Sequence, residues 1–247
     1  MIPAHGGMEL FRVSGERMLA AYHRPAGPDA ARFPTVLFLH GFPGSEKSVD
    51  VQRALLRRGV ASVAPHFLGA WGSGGTYRFT TLVAQARAAL AATRRLPFVD
   101  PKRVAVYGFS MGGWAALNLA ALDPSLKAVC AVAPVGGPEM VGPSTLDFMR
   151  RLSRPLKTLK PEALRADFAA AVARQDPARA VARLKAPALL VHGTADDVVP
   201  CIVSKRIAAA AKGPLRLVLE PGARHDFLEC REKLTRLCSA WLAERLS

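Results

Sequence analysis

The chain has no CxxC pair, and its four cysteines, Cys130, Cys201, Cys230 and Cys238, stand at no spacing with histidine that would hold zinc. Neither a structural metal nor a disulfide framework is expected; the cysteines read as free thiols, with Cys130 a small core residue inside an apolar run. No apolar run approaches the ~20 residues needed to cross a bilayer, so no membrane span is expected. The opening Met1-Ile2-Pro3-Ala4-His5-Gly6-Gly7 lacks a basic region followed by an apolar one, which argues against a secretory signal. Together these absences predict a soluble, cytoplasmic protein. Acidic residues are scarce, 19 against 34 lysines and arginines, for a net charge of +15. That balance invites nucleic acid as a partner, but the basic residues are spread along the chain and no basic run is interleaved with aromatics, so nucleic acid is not expected. No internal repeat is present, which excludes solenoid architectures.

What the sequence does have is apolar residues, half of the 247, enough for one domain with a large core. Short apolar runs alternate with helix-forming stretches. Thr35–Leu39, Ala61–Ala64, Arg103–Tyr107, Leu126–Ala133, Ala188–Val191 and Leu215–Leu219 are expected strands. Val49–Arg58, Thr80–Leu96, Ile202–Ala211 and Phe227–Leu246 are expected helices, and Leu10–Val13 with Met18–His23 an N-terminal hairpin. The strand runs are continuous rather than alternating, the mark of a parallel sheet buried on both faces, and so of an α/β fold.

The most informative stretch is Gly108-Phe109-Ser110-Met111-Gly112, between the apolar run ending at Tyr107 and the helix-forming run from Gly113. A serine with glycine two residues to either side, at a strand-to-helix junction, marks a turn so sharp that the serine backbone is strained and its hydroxyl exposed. Ser110 is the candidate nucleophile. Ligands of open parallel sheets lie beyond the carboxyl ends of the strands, so its partners belong there. After Ala188–Val191 comes His192-Gly193-Thr194-Ala195-Asp196-Asp197, with two adjacent carboxylates. After Leu215–Leu219 comes Glu220-Pro221-Gly222-Ala223-Arg224-His225, with a histidine in a turn before the last helix. A serine hydroxyl needs a base, histidine titrates near neutral pH, and a carboxylate holds the imidazole in the right tautomer. A tetrahedral intermediate also needs donors; the N–H of Met111 and the N–H of Phe42, in the glycine-rich His40–Gly44 loop, are the candidates.

Other residues carry two readings. Trp71, opening the glycine-rich Trp71–Thr76 stretch, either lines the pocket or packs under its loop. His40 and His192 end strands and read as hydrogen-bonded scaffold; Trp114 reads as core, and Asp197 as a turn residue capping the Ile202 helix. Thr145–Leu184 reads as two or three short polar helices. Between Met149 and Lys185 it carries ten basic against three acidic residues. Over the site, this segment would be a lid whose charge concentrates anionic substrates; otherwise it is a solvated excursion.

Taken together, these motifs resemble the α/β-hydrolase superfamily along nearly the whole chain. His40-Gly41-Phe42-Pro43-Gly44 is similar to that family's oxyanion loop and Gly108–Gly112 to its nucleophile elbow. Val99-Asp100-Pro101-Lys102-Arg103, followed by the elbow and Gly113, resembles the dienelactone-hydrolase and prolyl-oligopeptidase branches, as does the Trp71–Thr76 loop. The family's Gly-x-x-Asp turn, counted from Gly193, selects Asp196 over Asp197. The resemblance implies a mostly parallel sheet of about eight strands with helices on both faces, one domain over residues 1–247, and a helical lid at 145–184. It also implies a serine hydrolase acting on a small carboxylic ester or thioester through an acyl-enzyme. Ser110, Asp196 and His225 would form the triad, Phe42 and Met111 would hold the oxyanion, and neither metal nor cofactor would be needed. The rivals are a peptidase of prolyl-oligopeptidase type, for which the extra access-restricting domain is missing, a cofactor-free lyase or perhydrolase, and a binding protein on the same scaffold.

Overall fold

The unbroken apolar runs have a simple cause, visible in β5 (Val99–Phe109). In the computed structural model, which describes residues 1–247, Val104 and Val106 face one apolar layer while Ala105, Tyr107 and Phe109 face another. A strand covered on both sides needs apolar residues at every position. The same division holds in β3 (Phe33–Leu39), where Leu37 and Leu39 face one layer and Val36 and Phe38 the other.

The remaining strands are β1 (His5–Val13), β2 (Glu16–Arg24), β4 (Ala61–Pro65), β6 (Val129–Val132), β7 (Ala188–Gly193) and β8 (Leu215–Glu220). They join in one sheet, ordered β1-β2-β4-β3-β5-β6-β7-β8. β2 runs antiparallel to β1 and to β4, and every pairing from β4 through β8 is parallel. The hairpin is longer than expected. Its two-residue turn places Ser14 and Gly15 at φ 50° and 80°, the handedness that matches strand twist.

Parallel neighbours need crossovers, and helices supply them. α1 (Val49–Leu56) and α8 (Arg231–Leu246) cover one face through Val51, Leu55, Leu234 and Leu242. Arg231 ties the two together: its guanidinium donates to Asp50 at 2.7 and 2.8 Å and to Glu46 at 2.9 Å, a planar fork matched to carboxylates. α2 (Leu82–Thr93), α3 (Met111–Leu122) and α7 (Ile202–Ala209) cover the other face through Leu82, Trp114, Leu117 and Ile207. No helix is long and apolar enough to cross a membrane.

Between β6 and β7 stand α4 (Thr145–Leu152), α5 (Pro161–Arg174) and α6 (Pro177–Val181). Met149, Leu164, Phe168 and Val172 are buried in the same apolar layer as α2 and α3. Asp167 of α5 fastens the turn before α2, accepting from the amides of Phe79 and Thr80 and from the Thr80 hydroxyl.

Several element boundaries differ from the sequence expectation: β5 begins at Val99 rather than Arg103, α1, α2 and α7 end two or three residues early, and three further differences have a visible cause. β6 covers Val129–Val132 rather than Leu126–Ala133, because the Leu126 amide turns back onto the Asp123 carbonyl and Ala133 leaves the strand at φ 44°. The last helix starts at Arg231 rather than Phe227, because Phe227 adopts a left-handed φ of 58°. α2 starts at Leu82 after a single 3₁₀ turn, Phe79–Thr81.

Candidate active site

Leu39 lies opposite Gly108 in the sheet, so the loops after β3 and β5 leave at the same place. Ser110 sits between β5 and α3 at φ 55°, ψ −119°, a conformation a non-glycine residue holds only when its surroundings impose it. The flanking glycines are those surroundings. A methyl group on Gly108 would lie 2.1 Å from the Gly112 carbonyl oxygen, and one on Gly112 would lie 1.9 Å from that of Leu39. Hydrogen bonds secure the strained residue on both sides. Its N–H donates to Val132 (2.8 Å), and its carbonyl accepts from Trp114 (3.1 Å) and Val135 (3.2 Å).

His225 reaches this serine from the loop after β8. Its Nε2 lies 3.1 Å from Ser110 Oγ and its Nδ1 2.8 Å from Asp196 Oδ2. A carboxylate only accepts, so the proton is on Nδ1 and the Nε2 lone pair faces the hydroxyl. Asp196 stands after β7, and its Oδ1 accepts from the amides of Val198 (2.9 Å) and Val199 (2.8 Å). Its side chain is closed off from solvent. Burial alone would push this carboxyl up. Hydrogen bonds from His192, His225 and the Val199 amide outweigh it and hold the group well below the usual carboxylate range. The His225 loop is anchored by fully buried Phe227, by Arg231 donating to the Asp226 carbonyl (3.3 Å), and by the Phe109 ring 5.1 Å from the imidazole.

His192 is hydrogen-bonded scaffold, as expected, and the residues it steadies include Asp196. Its Nε2 lies 2.8 Å from the Val199 carbonyl and 3.2 Å from Asp196 Oδ2, and its Nδ1 2.6 Å from Ser204 Oγ. It braces both the acid and the turn that carries it. The available signal was its place four residues before Asp196 at a strand end. Asp197, expected to cap the Ile202 helix, does not. Cys201 occupies that N-cap with no side-chain bond, and the exposed Asp197 pairs with Arg224 at 2.9 Å.

The loop after β3 is set by His40. Phe67 N–H donates to its Nε2 (3.1 Å), so Nδ1 carries the proton and donates to the Gly41 carbonyl (2.7 Å). That carbonyl and the Phe42 N–H belong to one trans peptide and point in opposite directions. Fixing the carbonyl therefore aims the Phe42 N–H, which donates to no group of the protein. Burial, more than any other cause, lowers the His40 pKa to about 4, keeping the ring neutral. Met111, the first residue of α3, likewise has an N–H without an intrahelical acceptor. Trp71 does not line the pocket. Its Nε1–H donates to the Pro43 carbonyl (2.8 Å), bracing the loop, while Lys47 Nζ sits 5.0 Å over its ring.

Ser110, Met111 and Phe42 meet in a cavity of about 440 Å³, walled by Phe79 and Val135 and, from α4, by Phe148 and Met149. A serine hydroxyl, an imidazole oriented by a carboxylate, and two amides without partners in the protein at one cavity form an arrangement suited to acyl transfer.

Residues 36–237 match the alpha/beta hydrolase family, and the chain belongs to it. An uncharacterised protein of Mycobacterium tuberculosis is 30% identical over 194 residues, which are 78% of this chain and 63% of that protein. The chain thus spans less than two thirds of that relative's length. Among solved structures, 2,6-dihydroxy-pseudo-oxynicotine hydrolase superposes with a TM-score of 0.81 at 22% identity, over 98% of this chain and 68% of that one. Est1E from Butyrivibrio proteoclasticus superposes at 0.77 with 23% identity, over 97% and 98%. At such identities the likeness is one of fold.

Proposed function

We propose that this protein is a serine hydrolase that cleaves a carboxylic ester or thioester through an acyl-enzyme. The observation that carries the reading is the unbroken hydrogen-bonded line Asp196–His225–Ser110, at 2.8 and 3.1 Å, ending on a strained serine at the cavity floor.

In this reading His225 Nε2 takes the Ser110 proton as Oγ attacks the carbonyl carbon. The amides of Phe42 and Met111 hold the resulting oxyanion. Asp196 stabilises the imidazolium without taking its proton. As the intermediate collapses, His225 protonates the leaving alcohol or thiol. A water then attacks the acyl-enzyme, giving its proton to His225, which returns it to Ser110 as the acid departs. Each step uses only groups of this chain and water.

The test is labelling with a fluorophosphonate probe beside hydrolysis of p-nitrophenyl esters of graded chain length. The expected result is stoichiometric labelling of the wild type and none of Ser110→Ala, with turnover reduced by about 10³-fold or more in a variant of unchanged melting temperature. A folded wild-type protein that neither labels nor hydrolyses any ester would overturn the reading in favour of a binding protein on this scaffold.

A further inference from the structure

Of the ten basic residues between Met149 and Lys185, only Arg151 lines the cavity that holds Ser110. Its neighbour Arg150 is engaged elsewhere, with Asp147 at 3.2 Å and Glu162 at 2.9 Å. Two carboxylates also line the cavity, and both already have cationic partners: Asp147 has Arg150, and Asp197 has Arg224 at 2.9 Å. Arg151 makes no salt bridge and no side-chain hydrogen bond within the protein. It is the one charged lining group whose complement is missing.

Four phenylalanines stand in the wall among valines and methionines, and they begin at the reacting end. The Phe42 ring lies 5.1 Å from Phe79 and 6.1 Å from Phe148, and Phe79 lies 5.1 Å from Phe168. The residue whose amide faces the carbonyl oxygen thus also opens the apolar wall. Ser144, Phe148 and Arg151 are spaced i, i+4, i+7, which puts them along one face of α4. Phe148 and Arg151 are three residues apart, a rise of about 4.5 Å along that helix. The cavity therefore offers an amide donor, aromatic rings and, about one turn further along α4 from Phe148, an unpaired guanidinium.

We propose that the cavity takes a substrate with an aromatic or similarly bulky apolar acyl group that ends in a carboxylate or comparable planar anion, which Arg151 holds. Guanidinium matches a planar anion with two parallel N–H donors, and Arg151, an exposed residue of the lining, is free to supply them. The seven excess charges of the whole segment are then not the recognition element; one of them is. The reaction assigned to this substrate rests on the hydrolase reading, whereas the anion site does not.

The experiment uses the full chain with two esters of nearly equal shape, methyl 3-(4-carboxyphenyl)propanoate and its uncharged carboxamide analogue. Arg151→Gln should raise KM for the carboxylate ester about tenfold and leave kcat, and both constants for the amide, within about twofold. Arg154→Gln, an exposed neighbour outside the cavity, should change neither. Equal effects on both esters, or none on the carboxylate, overturn the proposal. Should the wild type turn over neither ester, calorimetry with 3-(4-carboxyphenyl)propanamide separates the two readings. Binding lost in Arg151→Gln but kept in Arg154→Gln supports the anion site whatever the fluorophosphonate test says of the hydrolase; binding independent of Arg151, or none, overturns the anion site.

Discussion

The floor and the wall of the cavity are held by different means. At the floor, main-chain geometry does the holding. Ser110 is strained between two glycines that tolerate no side chain, Asp196 is gripped by two amides, and the Phe42 amide is aimed by a carbonyl that His40 fixes. At the wall, side chains do it. α4 meets the floor through the Phe148 and Phe42 rings, and its charges, such as those of Arg150 and Asp147, are exposed pairs in water. A reacting centre has to be placed to a fraction of an ångström, and backbone hydrogen bonds deliver that. A recognition surface needs only shape and charge, which side chains can exchange.

The sharpest way to break this comparison is to add one methyl group on each side. Gly112→Ala puts a Cβ 1.9 Å from the Leu39 carbonyl oxygen, so β3 and α3 have to part. Unfolding in urea should show a loss of more than about 3 kcal/mol. Gly142→Ala, just before α4, meets nothing within 4 Å and should stay within about 0.5 kcal/mol. Similar losses at the two glycines would erase the distinction.

A smaller effect comes from His40. Its pKa is lowered from 6.5 to about 4 in the folded protein, so the unfolded chain binds a proton that the buried ring refuses. Stability from this group is complete above pH 6.5, falls as the pH drops towards 4 and is flat well below it, by on the order of 3 kcal/mol in all. His40→Gln keeps one donor and one acceptor but cannot titrate. Between pH 7 and 4 the variant should lose less stability than the wild type by that amount; parallel curves would refute the assignment.

The smallest effect belongs to the wall. Phe148 is only half-buried, so Phe148→Ala should fold normally. It removes one ring of the proposed acyl wall, and KM for aryl esters should rise about tenfold while kcat changes little. A fall in kcat at constant KM would mean that α4 positions the reacting groups rather than binding the substrate.

The contrast also explains what could be read in advance. The elbow was legible because a backbone that must turn sharply at Ser110 demands glycine at 108 and 112, and that demand is written locally. The sheet was legible because strands covered on both faces are apolar at every position. The strand ends at Leu126 and Ala133 and the helix start at Arg231 were not, since single residues such as Ala133 and Phe227 take positive φ without being glycine. Asp197 reads as a cap on spacing alone; its actual partner, Arg224, lies 27 residues away and was brought near by the pairing of β7 with β8.

By itself, then, the sequence determined the α/β class, the order Ser110, Asp196, His225 and the two loops that carry the amide donors, because each depends on local backbone chemistry. Only the tertiary structure decided that His192 supports the acid, that Trp71 braces a loop instead of lining the pocket, and that Arg151 alone among ten cations reaches the cavity. Those assignments depend on side chains converging from distant strands and helices. Packing sets such convergence, and it leaves no periodic mark on the chain.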